Sequence, residues 1–444
     1  MFYYLLQPLL SFDIVNLDRP VQPELLEAFT ATGLVHILSV SGSHISLIAA
    51  VTAWLGLMLR LAKRLRAALV IGTILVYSLL AGCVPPVIRS ALMGGLAFLA
   101  LSLDREREAR RILLLTGLAM LTISPLLLFH ISFQLSFLAT AGLLYLAPVL
   151  GGWLKRHHLG EYLSAGLSIT IAAQLSTLPV LAWYFNQLSL SSLLANLTIA
   201  PLVELIIVIG LLGGIIAFLL PFLGKLIFAG DSLILGLVYE MARWMAKLPG
   251  SMIWLPALPG WAGASYYAFI GFEVLERPWQ EKILARLKEQ RRPLLLAALA
   301  LFLFLGGRNL AHRGEITLAA VDVGQGDALV LHTPGGHTFL FDTGGTREAD
   351  FDIGEKVLVP YLRHYGFNTV DAIFLSHAHE DHAEGAGAVL RHLSVGKVYT
   401  AWEGRNAYAK SMRLGAADPL LNKLEPARQG SAMEVDGVRI EVIY

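Results

Sequence analysis

The chain has 444 residues, of which 56 % are hydrophobic and only 15 % charged, and its mean hydropathy is +0.63. Soluble domains carry about 25 % charged residues, so a single soluble globule is excluded and much of the surface must face lipid. The net charge of +1 hides a partition: residues 1–307 hold 21 Lys and Arg against 15 Asp and Glu, whereas residues 308–444 hold 13 against 18.

Three segments follow from this partition: a short N-terminal segment at 1–35, a membrane domain at 36–307 and a polar domain at 308–444. Between 36 and 307, apolar runs alternate with short polar breaks, and about 20 residues cross a bilayer as a helix. Windows at 36–59, 67–83, 84–103, 112–129, 131–150, 162–184, 190–220, 226–246, 252–275 and 293–307 predict roughly ten spans. The one cysteine, Cys83, permits no intramolecular disulfide. Basic breaks at Arg60/Lys63/Arg64/Arg66, Arg105/Arg107/Arg110/Arg111, Lys155/Arg156 and Arg277/Lys282/Arg286/Lys288/Arg291/Arg292 are separated by two, two and four spans. Even counts put every basic loop on one side, the cytoplasmic one. The last window then carries the chain across, which places both 1–35 and the domain after residue 308 outside the cytoplasm.

These spans are poor simple anchors. Pro85-Pro86, Pro125, Pro179 and Pro201 each free a backbone carbonyl that must be satisfied by protein or a wet cavity. His36, Ser39, Ser41, Ser43, His44, Arg89, His130, Gln134, Gln174, Asn186, Asn196, Glu204 and Asp231 add polar groups at membrane depth, where an ionisable side chain costs a few kcal/mol. His44, Arg89, Gln134 and Glu204 are the channel candidates. Arg89 stands out among them, three residues after Pro86 in an apolar stretch.

Four runs carry a family resemblance. They are Thr32–His44 (TGLVHILSVSGSH), Pro85–Met93 (PPVIRSALM), Ser132–Phe137 (SFQLSF) with Ala139 and Gly142, and Gln174–Pro179 (QLSTLP) followed by Ser191–Pro201. In this order, over about 22–275, they resemble the competence domain of the ComEC family, the inner-membrane DNA channel of natural transformation. Ser43 stands where the family more often has Leu. Family members carry further membrane helices and a small OB-like β domain before this region, where this sequence has residues 1–35.

After residue 314 the pattern turns to strands. Ile316–Val323, Ala328–His332, Thr338–Phe341 and Ala372–Leu375 are short β-rich runs between Gly/Asp breaks. Residues 347–365 read as a loop then a helix, and another helix, begun after Gly387, ends at Leu393. The alternation predicts an α/β layered domain. Eight of the 13 His lie in this part, and three of them occur in Ser376-His-Ala-His-Glu-Asp-His382. In an extended turn side chains at i and i+2 share a side, so His377 and His379 are expected to grip one metal while Asp381 and His382 turn toward a second. Imidazole and carboxylate suit Zn²⁺ or Mn²⁺.

With Val321–Asp327 (VDVGQGD) before it and Phe341–Gly345 (FDTGG) between, this motif resembles the metallo-β-lactamase fold as it occurs at the C-terminus of ComEC proteins. The resemblance implies two divalent ions that activate water against a phosphodiester. It makes His377, His379, Asp381 and His382 ligands, with Asp381 also catalytic, and adds Asp342 at the metal site as the first-motif Asp that supports the ligand loop. That fold's remaining ligands come from its second half, so the resemblance also implies a metal site that is incomplete in a sequence ending at Tyr444. A net charge of −5 does not favour holding a polyanion.

The expected protein is a polytopic α-helical membrane protein followed by a partial α/β metallo-β-lactamase-like domain. It would sit in the inner membrane and work with other competence proteins. It would pass single-stranded DNA inward while a nuclease-like domain outside degrades the other strand. Two other readings are a membrane-anchored metallohydrolase acting on another phosphoester or ester, and a channel whose hydrolase domain is inactive.

Overall fold

The computed structural model describes residues 23–38, 42–82, 85–102, 109–275, 277–290, 315–346, 351–401 and 404–443. Residues 1–22 of the N-terminal segment, Cys83, the 293–307 window and the side chain of His44 lie outside the described residues. The chain divides into two compact units. One comprises residues up to Leu181 with Gln187–Trp254 and Trp261–Val274; the other comprises Ala182–Asn186, Leu255–Gly260 and the chain from Leu275.

The first unit is helical: α1 (Pro23–Ala31), α2 (Val35–Leu38), α3 (Gly42–Met58), α4 (Lys63–Leu80), α5 (Pro85–Ser102), α6 (Ala109–Ile123), α7 (Ile131–Ala141), α8 (Ala147–Arg156), α9 (Glu161–Tyr184), α10 (Ser192–Leu219), α11 (Pro221–Ala246) and α12 (Gly260–Val274). A π-helical turn at Gly142–Leu146 joins α7 to α8 in one continuous helix. Among the described residues, four helices are long and apolar enough to cross a membrane: Ile131–Arg156, Glu161–Tyr184, Ser192–Leu219 and Pro221–Ala246. Two windows differ from the sequence reading. The 112–129 helix stops at Ile123, and Pro125 opens a 3₁₀ turn to Phe129. The 252–275 window begins with strand β2 (Met252–Trp254), paired antiparallel with β1 (Gln187–Ser189), and becomes helical only at Gly260.

Pro179 and Pro201 lie inside α9 and α10 without ending either helix. Each removes the N–H that would bond the carbonyl four residues earlier, which frees Leu175 O and Leu197 O. The hydroxyl of Tyr266 donates to Leu175 O at 2.7 Å, and that of Tyr162 donates to Leu197 O at 3.2 Å. Side chains of the bundle thus match these two carbonyls, so neither needs the lined pathway that the prolines suggested. Several membrane-depth polar groups are likewise used internally. Gln174 Nε2 donates to Ser189 O and Ser192 Oγ, the Ser189 and Ser191 hydroxyls both reach Ala31 O, and Asn186 Nδ2 donates to Ala182 O.

The second unit holds a six-stranded sheet: β3 (Thr317–Ala320), β4 (Leu329–His332), β5 (Thr338–Phe341), β6 (Thr369–Leu375), β7 (Ser394–Thr400) and β8 (Leu424–Pro426), adjacent in that order. The first three strands pair antiparallel and the remaining pairs are parallel. Alternation along the strands splits their side chains between two faces. Val330, Leu340, Ile373 and Val398 enter a core with α13 (Val359–His364) and α14 (Glu380–His392), represented there by Leu362 and Val389. Phe339, Phe341, Phe374 and Tyr399 lie on the other face beneath the hairpin β9 (Ala432–Val435) and β10 (Val438–Glu441).

The proline and tyrosine pairing gives the first testable outcome. Tyr266→Phe strands Leu175 O and lowers stability by about 1 kcal/mol, read as a drop in the thermal midpoint of the detergent-solubilised chain. In a Pro179→Ala background residue 179 regains an N–H for that carbonyl, and the drop should vanish. An equal drop in both backgrounds would show that the hydroxyl does not serve Leu175.

Candidate functional site

The carboxyl ends of β5 and β6 are neighbours because these strands pair in parallel, with Phe341 opposite Phe374. The residues that follow each strand therefore meet at one sheet edge, where open α/β sheets hold their ligands. Asp342 follows β5 and Ser376 follows β6. Asp342 has φ +52°, a conformation uncommon outside glycine and tolerated best by Asn and Asp. This turns its buried carboxylate back over the sheet edge. Oδ1 accepts from Ser376 N (2.7 Å), and Oδ2 accepts from Ser376 Oγ (2.7 Å) and His382 Nδ1 (2.8 Å).

The motif changes conformation midway. His379 is the extended N-cap of α14, and Glu380 and Asp381 occupy its first turn, where acidic side chains complement the helix dipole. The helix thus begins at Glu380, well before the start after Gly387 that the sequence predicted. Strand-like alternation ends at His379, and the ligand grouping differs accordingly. His377, Asp381 and His382 offer ligand atoms within 4.8 Å of one another, as do Asp327, Asp342 and His382; His379 is in neither group. The His377 ring centroid lies 4.1 Å from that of His382 and 4.6 Å from that of His379. With Nδ1 of His382 donating to Asp342, Nε2 is the nitrogen left for a metal. A carboxylate that orients and fixes the tautomer of a metal-binding imidazole is a common supporting arrangement. The two groups, sharing His382, offer the imidazole and carboxylate donors that suit a divalent metal ion.

Asp327, Ser376 and Glu384 had no role in the sequence reading. The first two stood inside quoted motifs, but 48 residues of chain separate Asp327 from Ser376 and no local spacing reports their meeting. Asp327 reaches the site because Gly344 N donates to Asp327 O (2.8 Å). The Asp342 loop and the ligand helix are also tied directly: Thr343 N and Oγ1 both donate to His382 O. Two glycines permit the approach, since a Cβ on Gly345 would collide with the Glu380 carbonyl and one on Gly326 with that of Asp381. Behind the ligands, buried Glu384 accepts from Thr346 N and pairs with Arg413 at 2.8 Å. Desolvation pushes its carboxyl above the usual range, against the pull of Thr346 N–H and Arg413.

Arg89, Gln134 and Glu204, the membrane candidates with described side chains, have different surroundings. Arg89 on α5 is half-buried and donates to Ser136 Oγ and Thr140 Oγ1 on α7 and to Ser90 Oγ. Among the described residues no carboxylate pairs with it. Gln134 Nε2 donates to Leu128 O (2.9 Å) and so braces the 3₁₀ turn after Pro125. Glu204 is exposed on α10.

Asp342→Asn tests the orienting role. The amide cannot accept at both oxygens, so His382 loses its fixed tautomer, and zinc affinity of the full chain should fall about 10–100-fold by chelator competition. Unchanged affinity would remove Asp342 from the site.

Residues 15–280 match the Competence protein family, and residues 321–422 match the metallo-beta-lactamase superfamily. The chain is 26 % identical to ComE operon protein 3 of Bacillus subtilis over 95 % of this chain and 54 % of that protein. It is 29 % identical to Competence protein ComA of Neisseria gonorrhoeae over 84 % and 51 %, and 28 % identical to the uncharacterized protein YcaI of Escherichia coli over 83 % and 48 %. The chain spans about half the length of these curated relatives. No solved structure matches it. The chain belongs to the Competence protein family and carries a metallo-beta-lactamase domain after its membrane helices.

Proposed function

We propose that this chain forms the inner-membrane conduit for DNA in transformation, passing one strand inward, and that residues 308–444 are a metal-dependent hydrolase acting on the other strand outside the cytoplasm. The observation that carries the reading is the match of well over half the chain to the Competence protein family, joined to a His/Asp cluster at the metallo-beta-lactamase sheet edge. In this reading 36–307 crosses the bilayer roughly ten times, and other competence proteins deliver the DNA.

Arg89 supports the conduit. Hydroxyls orient its guanidinium but leave the charge uncompensated, so it can meet a passing phosphate as a charge-assisted donor. His44, Gln134 and Glu204 are assigned to the same conduit.

In the hydrolase, His377, His379, Asp381 and His382 would hold divalent ions, with Asp327 beside them. When bound, such ions polarise a phosphoryl oxygen and neutralise charge that develops on it. The chain's own task is orientation. Asp342 keeps the proton of His382 on Nδ1, Ser376 holds Asp342, and Thr343 anchors the His382 carbonyl.

Arg89→Ala should abolish transformation while the protein accumulates in the membrane at the wild-type level, and Arg89→Lys should restore part of it. Wild-type transformation in the alanine variant would remove Arg89 from the conduit. For topology, a reporter active only outside the cytoplasm should give signal when fused after Tyr444. Signal from a cytoplasmic reporter alone would reverse the assignment.

A further inference from the structure

Among the described residues, Asp231 is the buried acid of the membrane unit. It lies on α11 about 15 Å along the axis from Pro221, which is half the roughly 30 Å hydrocarbon core. Its residue is 9 % exposed, and its Oδ1 is buried with no hydrogen-bond partner among the described residues. Among the described residues, α10 and α1 make the main packing against α11. On α10 the neighbour is Gly210, where a Cβ would stand 3.4 Å from Asp231 Oδ2.

The charged groups on these elements offer no counter-ion. The titratable residue of α10 is Glu204, and those of α1 are Glu24 and Glu27, all carboxylates. On α11 itself Arg243 is engaged by Glu240 at 3.0 Å, and Lys225 is roughly 9 Å away along the helix. A metal cation would need several oxygen ligands, and among the described residues no metal-ligating group includes Asp231. A carboxylate in this setting keeps its full desolvation penalty. A proton removes the charge without requiring any further ligand.

We propose that Asp231 is a proton-binding site of the membrane unit, occupied while α10 and α11 are packed together and emptied only when the pair opens to water. The step is a simple exchange, in which the carboxylate takes one proton from the aqueous side to become a neutral acid and returns it on opening.

The experiment is an infrared comparison of the full chain, wild type against Asp231→Asn, reconstituted in lipid bilayers at neutral pH. The expected result is a protonated-carboxyl C=O band, shifted in heavy water, that is present in wild type and missing from the variant. A carboxylate band in its place would overturn the proposal, including the case in which a cation from a second copy of the chain neutralises Asp231. Should the variant fail to fold, dicyclohexylcarbodiimide on the wild type gives the same answer. Its central carbon takes the carboxyl oxygen and its nitrogen takes the carboxyl proton, and the product rearranges to a stable N-acylurea with nothing lost. An adduct at Asp231, located by peptide mass spectrometry, is expected; its absence there, with or without an adduct at Glu204, would overturn the proposal.

Discussion

A polar group removed from water must be matched by a partner, and both units of this chain are arranged around that demand. In the membrane unit, two prolines inside long helices free carbonyls that tyrosines on other helices cap. A guanidinium is oriented by three hydroxyls, and a glutamine bridges two backbone segments. In the sheet unit, the buried carboxylate of Asp342 is saturated by Ser376 and His382. The demand explains why serine, threonine and tyrosine recur in a sequence otherwise dominated by aliphatic residues. Each hydroxyl can donate where the helix backbone cannot.

The same demand sorts the membrane-depth polar groups by how they are satisfied more sharply than their positions in sequence do. Gln174 and Asn186 looked like a lined pathway when only their depth was known, yet each donates to a specific backbone carbonyl. Arg89 differs because hydroxyl partners satisfy its hydrogen bonds without neutralising its charge.

Much of the sheet domain was legible in advance. Short β-rich runs between Gly and Asp breaks gave β3, β4 and β5 within a few residues, because edge and hairpin strands obey local alternation. The start of β6 was missed by three residues, since Thr369, Val370 and Asp371 carry no clear alternation of their own. The start of α14 was missed because the helix was read as beginning only after Gly387. The acidic first turn at Glu380 and Asp381 was the opposite and correct signal. The ligand grouping could not be read locally, because Asp327, Asp342 and His382 meet only through the parallel pairing of β5 with β6. In the membrane unit hydropathy located apolar segments but could not tell helix from turn at Pro125 or at 252–259.

Charge distribution sets an order on how the two parts can handle a polyanion. The membrane part is basic overall, and in the proposed conduit Arg89, held by hydroxyls and, among the described residues, by no carboxylate, would be the group that meets phosphate. The C-terminal part is acidic, and Asp327, Asp342 and Asp381 all approach His382. Three carboxylates around one imidazole repel a phosphodiester, and nonspecific affinity for nucleic acid depends on phosphate neutralisation. Only positive charge added at the sheet edge reverses that repulsion. In the proposed hydrolase a divalent ion would therefore be needed first for the substrate to approach and only then for the bond to break, so under that proposal binding and chemistry would share one requirement.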